Sequence, residues 1–314
     1  PMYVIKNGLP KRMLPLAYFF AIAGMIGCLP AFQSNQLIQI TGDLAFSSME
    51  NFNIYGGLIL AIITGVVVIG GLKRIAEVAS YLVPIMGSIY FGAMLIALLF
   101  NLDLILPAFR LIFVDAFSGS AIAGGTFFGV LIYGVRRGAF SNEAGMGTES
   151  LVHGVAKVSN PVKQGLVAMT GPIFDTLIIC TATALMILIS GVWETSSSQG
   201  VTLTGEAFSM LLGNFGGFIL FTCVICFGLS TIFTYSYYGA SCSRFLFGKF
   251  GMKFYIYLYI FSIFIYSIVP IDIAINIADG AFAMMAIPTL VSALWLAPKV
   301  MQASENYFKL VNSL

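Results

Sequence analysis

The residues best suited to bind a small polar solute lie in one short segment, residues 134–148, which reads GVRRGAFSNEAGMGT. Four glycines, two arginines and one glutamate stand there in a chain that is 59% hydrophobic. A glycine weakens a helix by roughly 1 kcal/mol relative to alanine, and a charge near the bilayer centre is costly unless it is paired. Hydrophobicity alone does not select this composition, which therefore indicates a functional segment.

Two interpretations of this segment follow from its residues. In the first it is a cytoplasmic loop with solvated arginines. In the second it is an interrupted helix, unwound near residues 138–141, that exposes free N–H and C=O groups to a substrate and restarts with Asn142 as its N-cap. Irregular backbone is tolerated at membrane depth only where protein encloses it, so the second interpretation predicts a binding site.

Charged residues in and near the segment form a candidate intramembrane network of Arg136, Arg137, Glu143 and Asp175. Asp175 lies twelve residues beyond Lys163, which is about 18 Å along a helix at 1.5 Å per residue and places it near mid-bilayer. A carboxylate at that depth is usually paired or faces water. We expect one of the two arginines or a bound cation to be its partner, and a packing salt bridge is the structural alternative.

Hydroxyl and amide side chains on two other apolar runs are further candidates. Adjacent hydroxyls at Ser230 and Thr231 supply hard oxygen ligands, which suit small cations. Thr231 and Tyr235 stand four residues apart and share one helix face. Gln33 and Asn35 either line the same site or form hydrogen bonds between helices.

Apolar helices must position these residues, because the mean hydropathy is +0.97 and only 9% of the residues are charged. Ordinary soluble domains have about 25% charged residues, so the composition predicts an all-α polytopic membrane protein. Runs that reach or approach the roughly 20 residues of a membrane span predict eight spans in one transporter domain, residues 1–314. They are residues 13–31, 54–70, 81–100, 122–133 continuing as an interrupted helix to about 157, 165–192, 207–238, 254–269 and 281–297.

The distribution of charge predicts how the chain is oriented in the membrane. Lys and Arg residues precede the first span and follow the second, fourth, sixth and eighth, with Arg136 and Arg137 among them. Such residues are retained on the cytoplasmic side, so both ends of this chain are predicted to be cytoplasmic in a multi-pass protein of the cell membrane. The acidic residues, including Asp279, fall mostly on the opposite side.

Other functional classes receive no support from the residues. The net charge of +2 follows from the topology, so it does not indicate a nucleic-acid partner. No Ser/His/Asp set, HExxH motif or cluster of metal ligands accompanies the single histidine, His153. The sequence therefore predicts neither an enzyme nor a bound cofactor.

At residues 134–147 the chain resembles the alanine or glycine:cation symporters, which are sodium-coupled amino-acid carriers. This stretch is similar to the family signature GVxRGxFSNEAGxG. Supporting similarities lie at residues 71–76 with 82–84, 161–166, 175–176 with 180–184, and 237–239. The resemblance runs almost from end to end.

The resemblance implies a leucine-transporter-type fold of two inverted repeats and symport of alanine or glycine with sodium by alternating access. The small neutral amino acid would lie between two interrupted helices, of which residues 134–148 form the second. Sodium would bind at Ser230 and Thr231. The residues that match the family's substrate site are Gln33, Phe140, Asn142, Thr231 and Tyr235.

The sequence also departs from the family pattern. Tyr235 stands where the family usually has tryptophan, and Ala240 and Ser241 stand in place of a common Gly-Glu-Arg-Cys run. The family has about three helices ahead of the region matched by Pro1, so the chain is expected to be truncated at its N-terminus and to need those helices as partners for coupled transport. The alternatives are an ion channel-like pore, with residues 134–148 as the pore loop, and an inactive fragment of a transporter.

Overall fold

Helices form the regular structure of the described residues, and no strand occurs among them. The computed structural model describes residues 1–46, 48–117, 126–198 and 200–312. A short 3-10 turn, Lys11–Met13, precedes α2, and a π-helical stretch, Ile173–Cys180, joins α9 to α10. In chain order the α-helices are α1 (Met2–Gly8), α2 (Leu14–Gly27), α3 (Ala31–Ala45), α4 (Phe52–Val68), α5 (Gly71–Leu99), α6 (Leu102–Ala116), α7 (Thr126–Asn142), α8 (Thr148–His153), α9 (Pro161–Pro172), α10 (Thr181–Ser190), α11 (Val192–Thr195), α12 (Val201–Leu212), α13 (Asn214–Ile268) and α14 (Ile271–Asn312).

Among the described residues, five helical segments are long and apolar enough to cross a membrane. They are Lys11–Asp43, Gly71–Leu99, Pro161–Ser190, Phe215–Ile268 and Ile271–Asn312, and shorter apolar helices occur at Phe52–Val68 and Val201–Leu212. The predicted all-helical polytopic membrane protein is thus confirmed. The eight span boundaries, the leucine-transporter-type arrangement, the helices ahead of Pro1 and the orientation of the two ends stay predictions.

A glycine divides the long helix α13 into two antiparallel arms, residues 214–247 and 249–268. Gly248 has a φ of +67°, which interrupts the helix between the arms. The hydroxyl of Tyr259 donates a hydrogen bond of 2.6 Å to the carbonyl of Ile232, although the two residues are 27 positions apart. That separation is about 40 Å along a straight helix, so the contact requires the arms to fold back on each other. The arms hold the predicted span 254–269 and most of the span 207–238.

Three further breaks refine the predicted helices. The run 207–238 is divided at Gly213, whose φ is +66°, between α12 and α13. The first run, 13–31, is divided near Pro30, because proline disfavours helical backbone in the residue before it. The start of the fourth run, residues 122–125, lies outside the described residues, and α7 continues past residue 133 to Asn142.

The core that supports the functional segment lies between α2, α13 and α14. Its fully buried members include Phe20 of α2, Ile232 and Tyr255 of α13, and Met285 of α14. The hydroxyl of Tyr255 donates a hydrogen bond of 2.7 Å to the carbonyl of Met25. A buried polar group away from water needs such a partner, so the contact fixes α13 against α2.

Candidate functional site

The polar segment contains a break between helices, at residues 143–147. Helix α7 ends at Asn142, and α8 begins at Thr148. The prediction that unwinding falls at residues 138–141 is wrong, because α7 continues through them. The left-handed φ values occur later, at Glu143 (+56°), Gly145 (+81°) and Gly147 (+90°). Glycine adopts such values without strain, and these two glycines therefore decide where the helix breaks.

Gly147 also brings the break close to two neighbouring helices. A Cβ atom at this position would lie 2.8 Å from Cε2 of Phe20 in α2 and 2.7 Å from Oγ1 of Thr289 in α14. Both distances are shorter than real side chains permit. The absence of a side chain at Gly147 is what lets the break pack against α2 and α14.

Asn142 closes helix α7 and does not cap the helix that follows, so its predicted N-cap role is wrong. Its Oδ1 accepts a hydrogen bond of 2.9 Å from the backbone N–H of Ala144. Its Nδ2 donates a hydrogen bond of 3.0 Å to Oγ1 of Thr176 in the π-helical stretch. Asn142 therefore holds the first turn of the break and links it to a second polar element.

The residues on either side of Asn142 make similar links to other helices. The hydroxyl of Ser141 donates a hydrogen bond of 2.6 Å to Oδ2 of Asp175. The hydroxyl of Tyr235 in α13 donates a hydrogen bond of 2.6 Å to Oε1 of Glu143. Three consecutive side chains thus bind the break to the π-helical stretch and to α13, and π-helical turns inside helices are frequent at functional sites.

The two arginines form ion pairs with Asp279 of α14, so their predicted pairing with Asp175 is wrong. Nη1 of Arg136 lies 3.5 Å from Oδ2 of Asp279, and Nη2 of Arg137 contacts the same oxygen. The side chain of Asp279 is only 7% exposed. The members of an ion pair lie at the same depth in a membrane. The two arginines and Asp279 therefore lie on the same side, whereas the charge pattern predicts opposite sides.

Aromatic rings surround the end of α7. The ring centroid of Phe140 lies 5.6 Å from that of Phe32 in α3 and 5.3 Å from that of Phe282 in α14. Tyr235 contacts Phe282 from another direction, with 6.3 Å between the centroids. Phe140 and Tyr235 are thus brought together through a third ring.

The two polar residues of α3 are placed differently. Gln33 is partly buried and directly follows Phe32, whose ring contacts Phe140. Asn35 is a link between helices, because its Nδ2 donates hydrogen bonds to the carbonyls of Tyr266 at 3.2 Å and Val269 at 2.6 Å. Those carbonyls stand at the end of α13, where the helix itself provides no donor.

The hydroxyl pair in the first arm of α13 lies one turn before Tyr235. Ser230 is buried, and its hydroxyl donates a hydrogen bond of 2.9 Å to the carbonyl of Phe227. Thr231 is partly buried. Their role as sodium ligands stays a prediction, as do the substrate roles of the other candidate residues.

Sequence reasoning did not select Asp279, Phe282 or Phe32 as residues of this site. The signal for Asp279 was present, because it stands eight residues into a long apolar helix that begins at Ile271. A carboxylate in such a position needs a partner inside the protein. The two phenylalanines gave no signal, since aromatic residues are common throughout the chain.

Fold and site together define a class, a polytopic helical membrane protein in which a polar helix break packs against apolar helices. The chain belongs to the sodium:alanine symporter family, whose model matches residues 1–313. The resemblance at residues 134–147 is therefore confirmed. Membership of this family places the chain among transporters.

Individual relatives match nearly the whole chain. The uncharacterized transporter YflA of Bacillus subtilis is 35% identical over 98% of this chain and 66% of its own length. The sodium/alanine symporter AgcS of Methanococcus maripaludis is 34% identical over 98% of this chain and 68% of its own length. The probable sodium/glutamine symporter GlnT of Bacillus subtilis is 32% identical over 98% and 64% respectively. The chain thus spans about two thirds of the length of these relatives.

Proposed function

We propose that this chain takes part in the symport of sodium with a small neutral amino acid by alternating access. The observation that carries the proposal is the break at residues 143–147, which the side chains of Ser141, Asn142 and Glu143 tie to two other helices. Unwound backbone at membrane depth presents N–H and C=O groups to a solute, which is how transporters build binding sites.

Each candidate residue has a task in this proposal. Asn142 and the backbone of the break hold the amino and carboxylate groups of the substrate, and Gln33 adds an amide. Phe140 and Tyr235 limit the size of the substrate side chain. Ser230 and Thr231 provide hydroxyl oxygens for sodium, which as a hard cation prefers oxygen ligands.

The contact between Tyr235 and Glu143 supplies a route for coupling. Tyr235 stands one turn beyond the proposed sodium ligands, and its hydroxyl is bonded to the first residue of the break. Ordering of this arm of α13 by sodium therefore stabilises the break in its binding conformation. Sodium then raises the population of the state that binds the amino acid, as differential affinity requires.

The proposed substrates are alanine or glycine, the smallest neutral amino acids. One relative is named a sodium/alanine symporter and another a probable sodium/glutamine symporter. The names of relatives therefore do not decide how large the side chain of the substrate is. The crowding of Phe140, Phe282 and Tyr235 favours a substrate with a small side chain, because the ring of Phe282 contacts both of the other rings.

Uptake into proteoliposomes tests the proposal, using the full-length protein and labelled alanine. An inward sodium gradient is expected to drive accumulation, an equal potassium gradient is the control, and excess glycine should compete better than excess glutamine. Uptake that is indifferent to sodium would contradict the coupling. Single-channel currents with unsaturable flux would favour the channel alternative.

A further inference from the structure

Asp279 is a buried carboxylate on α14 that faces two cations of α7. Its side chain is 7% exposed, whereas the side chains of Arg137 and Arg136 are 30% and 58% exposed. Arg137 donates a hydrogen bond to Oδ2 of Asp279. A carboxylate shielded from water needs such a partner, so Asp279 anchors the guanidinium of Arg137 at a fixed place.

The same guanidinium lies over two aromatic rings of α7. Its carbon Cζ is 5.4 Å from the ring centroid of Tyr133 and 5.5 Å from that of Phe140. Cations within about 6 Å of a ring centroid are attracted to the ring face. Arginine can stack on a ring and pair with a carboxylate at once, because its guanidinium is planar and has five N–H donors.

Phe140 is also in contact with α14, the helix that carries Asp279. The ring of Phe140 contacts the ring of Phe282, with 5.3 Å between the centroids. Phe282 stands three residues after Asp279 on α14, a spacing that puts both on one helix face. Phe140 therefore contacts both Phe282 and Arg137, and α14 holds these two in place through Phe282 itself and through the ion pair of Asp279 with Arg137.

We propose that Arg137 is a positioning residue that fixes the ring of Phe140 and so sets the size of substrate side chain that the transporter accepts, with Asp279 as its anchor. The inference rests on the proposed function, in which Phe140 limits that size. Phe140 cannot turn away from the site while Arg137 covers its face. Loss of the stacked guanidinium frees the ring and lets a larger substrate side chain fit beside it.

The substitution Arg137→Lys tests this inference in the full-length protein in proteoliposomes. Lysine keeps a positive charge for Asp279 but loses the planar face over Phe140. We expect the KM for alanine to rise roughly three- to thirtyfold, the range that loss of a cation–π contact gives, with the maximal rate and the sodium dependence kept. Excess glutamine should inhibit the uptake of labelled alanine more strongly in this variant than in the wild type.

A matched control disrupts an exposed ion pair elsewhere. Lys73 and Glu77 form such a pair, with side chains 91% and 62% exposed, and Lys73→Gln should leave KM and selectivity unchanged. Unchanged selectivity in Arg137→Lys, with uptake intact, would overturn the inference.

A second readout does not depend on transport. Thermal unfolding in detergent is measured for Arg137→Lys, Phe140→Leu and the double variant. The inference predicts that the double variant loses less stability than the two single variants lose together. The reason is that each single variant already removes the same contact between Arg137 and Phe140. Additive losses would overturn it. If the wild type takes up no alanine, the proposed function fails, whereas this cycle still decides whether Arg137 holds Phe140.

Discussion

The hydroxyl of Tyr235 donates a hydrogen bond of 2.6 Å to the carboxylate of Glu143. Tyr235 lies in the first arm of α13, and Glu143 is the first residue of the break that follows α7. The two residues are 92 positions apart in the sequence, so this hydrogen bond joins two separate elements. It connects the proposed sodium ligands to the proposed substrate site through one contact.

Removing this hydroxyl should weaken both the fold and the coupling. Tyr235→Phe keeps the ring but removes the hydroxyl that donates to the partly buried carboxylate of Glu143. Hydrogen bonds to charged groups contribute about 1.5–3 kcal/mol, so we expect a loss of that order in the free energy of unfolding and a weaker response of uptake to sodium. Tyr257→Phe is the control, because Tyr257 is 65% exposed in the other arm of α13. Equal effects of the two variants would contradict the assigned link.

Substitution at Gly147 should disrupt the break itself. In Gly147→Ala the new Cβ meets Phe20 and Thr289, and the backbone keeps a φ of +90° that alanine adopts only with strain. Left-handed backbone at a residue other than glycine costs of order 1–3 kcal/mol, and the clash adds to it. Gly87→Ala provides the control, because no atom of the described residues lies within 4 Å of a Cβ there. Melting temperatures in detergent should fall for the first variant and hold for the second.

Asn142 should be needed for substrate binding. Asn142→Ala removes the amide that we assign to the substrate, together with its hydrogen bonds to Thr176 and Ala144. We expect alanine binding, measured with labelled substrate on purified protein, to fall by more than about tenfold, which corresponds to about 1.4 kcal/mol.

The control for Asn142 is another asparagine with the same local geometry. Asn160 accepts a hydrogen bond of 2.9 Å from the backbone N–H of the residue two positions later, as Asn142 does. Asn160→Ala should lower stability by about 1 kcal/mol, the usual effect of losing an N-cap, without changing alanine affinity. If Asn142→Ala binds alanine as tightly as the wild type, its assigned role is wrong.

The hydroxyl pair of α13 should determine the affinity for sodium. The double variant Ser230→Ala, Thr231→Val removes two oxygen ligands at nearly constant volume. The sodium concentration for half-maximal uptake should rise by about tenfold or more for each lost ligand that contributes about 1.4 kcal/mol. Thr222→Val serves as the control, since Thr222 is a hydroxyl of the same arm bonded to its own helix at the Phe218 carbonyl. A sodium response unchanged in the double variant would exclude the pair as ligands.

The sequence predicts the class of fold well, because length and hydropathy decide which segments are apolar helices. It also locates a segment that contains a helix break, because glycine, arginine and glutamate at residues 134–148 contradict the composition around them. The predicted position of the break is wrong by about five residues. The sequence predicts residues 138–141, and the structure has the break at residues 143–147. The segment holds four glycines, of which Gly145 and Gly147 have left-handed backbone, and tertiary packing such as that of Gly147 against Phe20 and Thr289 makes this selection.

The partners of charged residues were harder to predict. Asp175 and Asp279 are both acidic residues in apolar surroundings, and composition gives no reason to prefer one as the partner of Arg137. Tertiary packing decides which acid pairs with Arg137. Helix α14 brings Asp279 to α7, whereas Asp175 accepts a hydrogen bond from Ser141. Long-range pairing of this kind depends on how helices pack, which a local sequence pattern does not contain.

The most direct test of sodium-coupled symport is the entry of labelled sodium into proteoliposomes that contain the full-length protein. The membrane potential is clamped, and alanine is added outside at increasing concentration. Symport predicts that alanine accelerates sodium entry, that the effect saturates, and that Asn142→Ala moves the half-saturating alanine concentration up by more than about tenfold. Sodium entry that does not change when alanine is added would contradict the proposed function.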